Sequence, residues 1–143
     1  YHKIFHIPVL RRIFRWMNAI PIAPAKEDPA LLERAYDAID NALANGELVC
    51  IFPEGGLTRD GQLQGFRRGV ERVVGRRPVP VVPMALSGLW GSLFSRAGGS
   101  AFFKRPRRLW ARVRLAAGAA IAPAGLNVER LHGEVALLRG ERA

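Results

Sequence analysis

Apolar residues recur at helical spacing in four stretches of the chain, which predicts four helices. The predicted helices cover residues 8–20, 28–45, 66–75 and 127–138. The second has the clearest ends, because Asp28 is a favoured N-cap, Pro29 suits a first turn, and Asn45 with Gly46 ends the pattern. We therefore expect an amphipathic helix between these residues.

Short apolar or alternating runs between the helices predict β-strands. Strands are predicted at residues 48–52, 79–86 and 107–116, and residues 20–24 are expected to form an edge strand or an extended loop. In the last run Val113 and Leu115 lie on the face expected to be buried, while Arg112 and Arg114 lie on the exposed face. Helices that alternate with strands predict an α/β fold, with a largely parallel or mixed sheet flanked by helices.

The first predicted helix is basic and amphipathic, with Phe14 and Trp16 on its apolar face and three arginines on the other. Two roles remain open for it. The apolar face can pack on the domain itself, or it can lie in the interface of an anionic membrane. No apolar run reaches the roughly 18 residues that cross a bilayer, so any membrane contact is expected at the surface.

The 143 residues carry 22 Lys and Arg against 12 Asp and Glu, a formal net charge of +10, and 49% of them are hydrophobic. This composition indicates one globular domain. Its charge favours nucleic acid, a membrane surface or a phosphorylated substrate, although a solvated arginine-rich surface has the same composition. No nucleic-acid recognition motif is present, so we expect no nucleic-acid partner. The one cysteine, Cys50, is expected to be a core thiol.

The stretch FPEGGLTRDG, residues 52–61, directly follows the predicted strand at residues 48–52. In α/β proteins, ligands bind beside the carboxyl ends of the strands. Glycines there allow backbone amides to approach a ligand, and an arginine can pair with a phosphate through two hydrogen bonds. The stretch therefore predicts a phosphate-binding loop. A tight turn with one exposed ion pair is the alternative.

Other common catalytic motifs are absent from the sequence. There is no G-x-x-x-x-G-K-[ST], no G-x-S-x-G around Ser87, and no Cys/His cluster at metal-ligand spacing. His2, His6 and His132 are expected to be surface residues, with His132 on the exposed side of the last helix. We therefore expect neither a metal nor a cofactor.

Three motifs in a fixed order connect these observations. FPEG at residues 52–55, FRRG at 66–69 and VPVVPM at 79–84 resemble the FPEG, F-[KR]-x-G and V-x-P motifs of the glycerophospholipid acyltransferase family, of the 1-acylglycerol-3-phosphate acyltransferase type. The stretches IPIAPAKEDP, FPEGGLTRDG and SGLWGSLFSR resemble in particular the acyltransferase domain of bacterial 2-acylglycerophosphoethanolamine acyltransferases. The resemblance covers roughly residues 4–140.

This resemblance implies a glycerol-3-phosphate acyltransferase-like fold and a reaction in phospholipid synthesis or remodelling. A fatty acyl group is expected to pass from acyl carrier protein or coenzyme A to the free hydroxyl of a lysophospholipid or acylglycerol phosphate. The place of the reaction is expected to be an anionic membrane surface, the cytoplasmic face of the bacterial inner membrane. A non-catalytic domain that binds a membrane surface or a lipid is the alternative.

The family's base is a histidine in a His-x4-Asp motif, and none of the three histidines here begins such a motif. Because the motif lies N-terminal to the matched region in the family, residues 1–143 are expected to be a partial, N-terminally truncated acyltransferase domain, inactive alone. Carried over onto this sequence, the substrate-binding residues are Glu54, Gly55, Gly56, Thr58, Arg59 and Arg67. Arg67 is expected to hold the substrate's phosphate, and Glu54 to order the loop or a neighbouring basic side chain.

Overall fold

The structure is a computed structural model that describes residues 12, 16–56, 58, 60–88 and 112–140. The chain divides into two compact units, Tyr1–Cys50 and Ile51–Ala143. The residues outside the described part of the chain include most of the predicted opening helix, residues 57 and 59 of the predicted phosphate-binding loop, and the first half of the strand predicted at 107–116. No described helix is both long and apolar enough to cross a membrane.

The first unit contains one long helix, α1 (Pro29–Ala44). It begins as predicted, because the Asp28 carboxylate accepts a hydrogen bond from the Leu31 amide at 2.8 Å. Asn45 is its C-cap, and Gly46 follows with a φ of +76°. The buried side chains lie three and four residues apart, on one face of the helix: Ala35, Tyr36 and Ile39. The predicted helix is therefore confirmed at both ends.

The strand predicted at residues 48–52 is wrong for the described part of the chain. No described strand pairs with this stretch, and Leu48 and Phe52 are 102% and 71% exposed. Cys50 is exposed as well, so the prediction of a core thiol is also wrong. An apolar run becomes a strand only when another part of the chain provides a partner strand and packs against its apolar face. The run itself does not specify either of these.

The second unit contains both helices and strands, consistent with the predicted α/β class. Its elements are α2 (Gly69–Arg76), β1 (Met84–Ser87), β2 (Arg114–Ala117), a 3₁₀ turn (Pro123–Gly125) and α3 (Val128–Arg139). Strands β1 and β2 are antiparallel, with Ala85 opposite Ala116. A further antiparallel bridge joins Val81 to Ile121 through two backbone hydrogen bonds of 2.8 and 2.9 Å. The larger parallel or mixed sheet stays a prediction.

Strand β2 departs from the prediction on one of its two faces. Val113 and Leu115 are 48% and 63% exposed, whereas Ala116 is half-buried and pairs with the buried Ala85. The small side chains of Ala85 and Ala116 let α3 pack closely on both strands. Arg112 and Arg114 are exposed, as predicted. Of the described residues in the predicted strand, 114–116 belong to β2 and 112 and 113 do not. Val113 and Leu115 were wrongly expected to be buried, because alternation alone does not show which side chains are covered.

Helices α2 and α3 meet over the core of the second unit. The core consists of Val70, Ile121, Val128 and Leu131, with Phe66, Val81 and Leu126 packed against it. The Glu71 carboxylate on α2 accepts a hydrogen bond from the Val128 amide at 2.9 Å, and Asn127 caps α3 by accepting from the Arg130 amide at 2.7 Å. Two otherwise unpaired amides at the start of α3 are thus satisfied. The bond from Val128 to Glu71 ties the start of α3 to α2.

Candidate functional site

The motif FPEG forms a β-turn. The Gly55 amide donates to the Phe52 carbonyl at 3.1 Å, which leaves Pro53 and Glu54 at the corner of the turn. Proline is favoured at this position because its fixed φ suits the corner, and glycine is favoured at the last position. Gly55 has a φ of +68°, a conformation that costs other residues energy. The residue types of the motif therefore follow from the geometry of the turn.

The segment from Pro53 to Arg67 is here called the acceptor loop, after the acyl acceptor that the family resemblance predicts for it. The loop is closed at its base by two hydrogen bonds. The Arg67 amide donates to the Pro53 carbonyl at 2.9 Å, and the Gln64 amide donates to the Glu54 carboxylate at 2.9 Å. The ends of the loop are therefore held together, as in a compact Ω-loop. Glu54 was expected to order either the loop or a neighbouring basic side chain. Its carboxylate bonds to the loop backbone.

The side chain of Arg67 lies directly over Gly55. A Cβ atom built on Gly55 would be 2.6 Å from Nε of Arg67 and 2.9 Å from its Cδ, so only glycine leaves room for this contact. The Arg67 side chain is exposed, and no carboxylate in the described part of the chain forms an ion pair with it. Its guanidinium group can therefore bind an anion without first breaking an ion pair to any residue that the structure describes.

The tip of the acceptor loop is organised by Asp60. Its carboxylate accepts from the Thr58 hydroxyl at 2.9 Å, from the Gln62 amide at 3.0 Å and from Nε2 of Gln64 at 3.1 Å. The Thr58 hydroxyl in turn accepts from the Gly61 amide at 3.0 Å. The bond from the Gln62 amide, and after it the bond from the Thr58 hydroxyl, lower the pKa of Asp60 below its ordinary value of 3.8.

This lowered pKa predicts how acid acts on the loop. A depressed folded-state pKa means that the ionised carboxylate favours the folded loop, so its contribution is present above pH 3.8 and is lost as the pH falls through the lower folded value. We expect the Asp60 carboxyl carbon, followed by NMR, to titrate below pH 3.8, and the Gln62 amide shift to move with it. An Asp60→Asn variant should lack this transition. Titration of Asp60 above pH 3.8 would contradict the described hydrogen bonds.

Helix α3 contacts the acceptor loop at two points. Nη2 of Arg139 donates to the Gly61 carbonyl at 2.8 Å, and the ring of His132 packs edge-on against Phe66, with centroids 4.9 Å apart and an interplanar angle of 73°. His132 is half-buried, so its predicted position on the exposed side of the helix is wrong. The aromatic neighbour comes from a loop about seventy residues earlier, which helical periodicity alone could not reveal.

Of the six predicted site residues, the structure brings Glu54, Gly55 and Arg67 together at the base of the loop. Thr58 instead bonds within the loop tip, Gly56 is exposed with open space around it, and Arg59 lies outside the described residues.

Sequence reasoning missed three residues that order the loop, namely Asp60, Gln64 and Arg139. Asp60 could have been found from the Thr58-x-Asp60-Gly61 spacing, because Asp and Thr side chains commonly bond to the backbone two or three residues on. Gln64 and Arg139 carry no comparable local signal. The described residues include no group of three or more His, Cys, Asp or Glu side chains that could hold a metal ion.

A separate cleft of about 460 Å³ lies between α2 and the 3₁₀ turn. Its lining is mainly apolar and consists of Glu71, Val74, Gly75, Pro78, Pro123, Ala124 and Leu126. None of the predicted site residues lines it, and its one carboxylate already bonds to the Val128 amide. We therefore place the candidate site at the exposed guanidinium group of Arg67.

Comparison with known proteins gives four findings. The family model described as "Acyltransferase" matches residues 1–87, a range that includes the whole acceptor loop. A chloroplastic 1-acyl-sn-glycerol-3-phosphate acyltransferase of Brassica napus is 32% identical over 85 residues, which are 59% of this chain and 24% of the relative. A chloroplastic 1-acyl-sn-glycerol-3-phosphate acyltransferase of Arabidopsis thaliana is also 32% identical over 85 residues, 59% of this chain and 23% of the relative. The match thus spans about a quarter of each relative's length. No solved structure matches the chain.

Proposed function

The chain belongs to the acyltransferase family, and from that membership we propose that the natural protein transfers a fatty acyl group from a thioester to the free hydroxyl of an acylglycerol phosphate or lysophospholipid. The observation that carries the proposal is the exposed Arg67 guanidinium held over Gly55 within the matched region. The names of the two relatives support an acylglycerol phosphate as the acceptor.

In this proposal Arg67 binds the acceptor's phosphate. A guanidinium group donates paired, charge-assisted hydrogen bonds that suit the geometry of phosphate oxygens. Glu54 is proposed to act through the loop, because its carboxylate accepts from the Gln64 amide and so keeps the loop closed. Gly56 leaves open space beside the turn, through which the acceptor can reach the guanidinium. Arg59, which lies outside the described residues, is proposed as a second phosphate contact.

The acyl transfer itself needs a base that the 143 residues do not provide, since no histidine here begins a His-x4-Asp motif. We propose that the dyad lies elsewhere in the natural protein, so that residues 1–143 form one part of the acyltransferase domain. The base takes the proton from the acceptor hydroxyl, the oxygen attacks the thioester carbonyl, and the C–S bond breaks. The thiol leaves with the proton, and Arg67 fixes the acceptor during both steps.

The proposal extends to the partners and the place of the reaction. The donor is an acyl thioester of acyl carrier protein or coenzyme A, and the acceptor lipid lies in an anionic membrane at the cytoplasmic face of the bacterial inner membrane. A net charge of +10 supports attraction to such a surface. We also propose that β1 and β2 belong to a larger, partly parallel sheet in the complete domain, as in glycerol-3-phosphate acyltransferases.

Acyl transfer by the full natural chain tests the proposal. Membranes that contain the protein are expected to acylate a 1-acylglycerol 3-phosphate when supplied with a labelled acyl thioester, on acyl carrier protein or on coenzyme A. A variant in which the proposed upstream histidine is replaced by alanine serves as the control and is expected to be inactive. Absence of transfer to both acylglycerol phosphate and lysophosphatidylethanolamine, with both donors, would refute the proposed function.

A further inference from the structure

Helix α3 supports the acceptor loop from one side along two of its turns. His132 and Arg139 are seven residues apart, so they lie on the same face of the helix, about two turns from each other. His132 contacts Phe66 next to Arg67, and Arg139 bonds to the carbonyl of Gly61 near the loop tip. Both helix residues lie beyond residues 1–87, which the family model matches.

The bond from Arg139 fixes the loop tip because Gly61 is held on both sides. Its amide donates to the Thr58 hydroxyl at 3.0 Å, and its carbonyl accepts from Arg139 at 2.8 Å. Gly61 also has a φ of +87°, so its carbonyl points in a direction that other residues rarely allow. A charged donor forms a stronger hydrogen bond than a neutral one, and this one is partly buried.

The tip is connected to the phosphate site through hydrogen bonds. Thr58 and Asp60 hold the side chain of Gln64, whose backbone amide bonds to Glu54. Glu54 precedes Gly55, over which the Arg67 side chain lies. A displacement of the tip is therefore passed to the base of the loop, where the guanidinium group must face the acceptor.

From this geometry we propose that Arg139 is a positioning residue for acyl transfer: it holds the acceptor loop so that Arg67 faces the acceptor phosphate, without touching the acceptor itself. The inference rests on the proposed function for its catalytic consequence. The tether between α3 and the loop can be measured independently of any activity.

The test compares Arg139→Gln with Arg130→Gln in the full natural chain. Arg130 is a matched control, because it lies on the same helix and its Nη1 also donates to a glycine carbonyl, that of Gly125, at 3.0 Å. That contact is local to the start of the helix and involves no residue of the loop. We expect Arg139→Gln to raise KM for 1-acylglycerol 3-phosphate by about five- to tenfold with kcat within about twofold, and Arg130→Gln to leave KM unchanged. Loss of folded protein alone would lower kcat without raising KM.

A second readout is backbone hydrogen exchange in peptides that cover residues 53–67. We expect faster exchange there in Arg139→Gln, wild-type exchange in Arg130→Gln, and partial recovery of both KM and exchange in Arg139→Lys, which keeps a charged donor. Unchanged loop exchange, or equal effects of the two glutamine variants on KM, would overturn the inference. If wild-type protein transfers no acyl group, the proposed function fails, and the exchange data alone still decide whether Arg139 holds the loop.

Discussion

Replacing Gly55 with alanine is expected to lower kcat/KM for acyl transfer at least tenfold and to destabilise the fold. The added Cβ would lie 2.6 Å from Nε of Arg67, so the guanidinium group must leave its position over the turn. The alanine must also adopt a φ of +68°, which costs about 1–2 kcal/mol for a residue with a side chain. The measurements are the steady-state kinetics and the thermal unfolding of the full natural chain.

Gly65→Ala is the matched control for this prediction. Gly65 belongs to the same loop, but nothing lies within 4 Å of a Cβ built on it, and its φ is not positive. We expect its activity to stay within about twofold of wild type, because alanine at an unstrained site changes mainly the entropy of the unfolded chain. Equal losses in the two alanine variants would mean that the contact between Gly55 and Arg67 has no functional role.

The second large effect is expected for Arg67→Gln. Hydrogen bonds to charged groups contribute about 1.5–3 kcal/mol. Their loss in the transition state should therefore lower kcat/KM about 10- to 100-fold. Stability should change little, because the side chain is exposed and the loop is closed by the Arg67 backbone amide, which the substitution keeps. Acyl transfer and thermal unfolding, measured on the same preparation, separate the two contributions.

Arg68→Gln controls for the loss of one positive charge next to the site. Arg68 follows Arg67 directly, its side chain is 82% exposed, and it makes a 3.6 Å ion pair with Glu71. Exposed pairs of this kind contribute roughly 0–1 kcal/mol, so this variant is expected to be close to wild type in both measurements. A loss in Arg68→Gln as large as in Arg67→Gln would assign the effect to general surface charge instead of a specific phosphate contact.

Helices α1 and α3 could be predicted from the sequence because their ends are set by neighbouring residues. Helix α2 instead begins at Gly69, three residues after the predicted start at Phe66, and the side chain of its N-cap residue Arg68 makes no capping hydrogen bond. Asp28 caps α1 through the amide three residues later, and Asn127 caps α3 in the same way. Such contacts depend on a few consecutive residues, which a single sequence shows. The FPEG turn belongs to the same class, because proline and glycine fix their own backbone angles.

The strands were harder to predict because their partners are distant. Residues 48–52 have strand composition, yet no described strand pairs with them. Leu115 was placed on the buried face, although Ala116 pairs with the buried Ala85 from thirty residues earlier. Which face of a strand is covered depends on elements elsewhere in the chain, here α3.

In the candidate site, too, local features could be predicted and contacts between distant residues could not. The turn and the residue type of Arg67 could be recognised from motifs, but the contact of Arg67 with Gly55 spans twelve positions, and the bond from Arg139 to Gly61 spans 78. Only the folded chain brings these groups together. The role of Glu54 in closing the loop also depends on Gln64, ten residues away, for which no motif exists.

The most direct test of the account is whether Arg67 recognises the acceptor's phosphate. Acyl transfer by wild type and Arg67→Gln should be compared on 1-acylglycerol 3-phosphate and on 1-acylglycerol, which has the same hydroxyl and no phosphate. We expect the substitution to lower kcat/KM about 10- to 100-fold on the phosphorylated acceptor, and to leave the weak transfer to the neutral acceptor within about twofold. Equal losses on both acceptors would contradict a phosphate contact at Arg67.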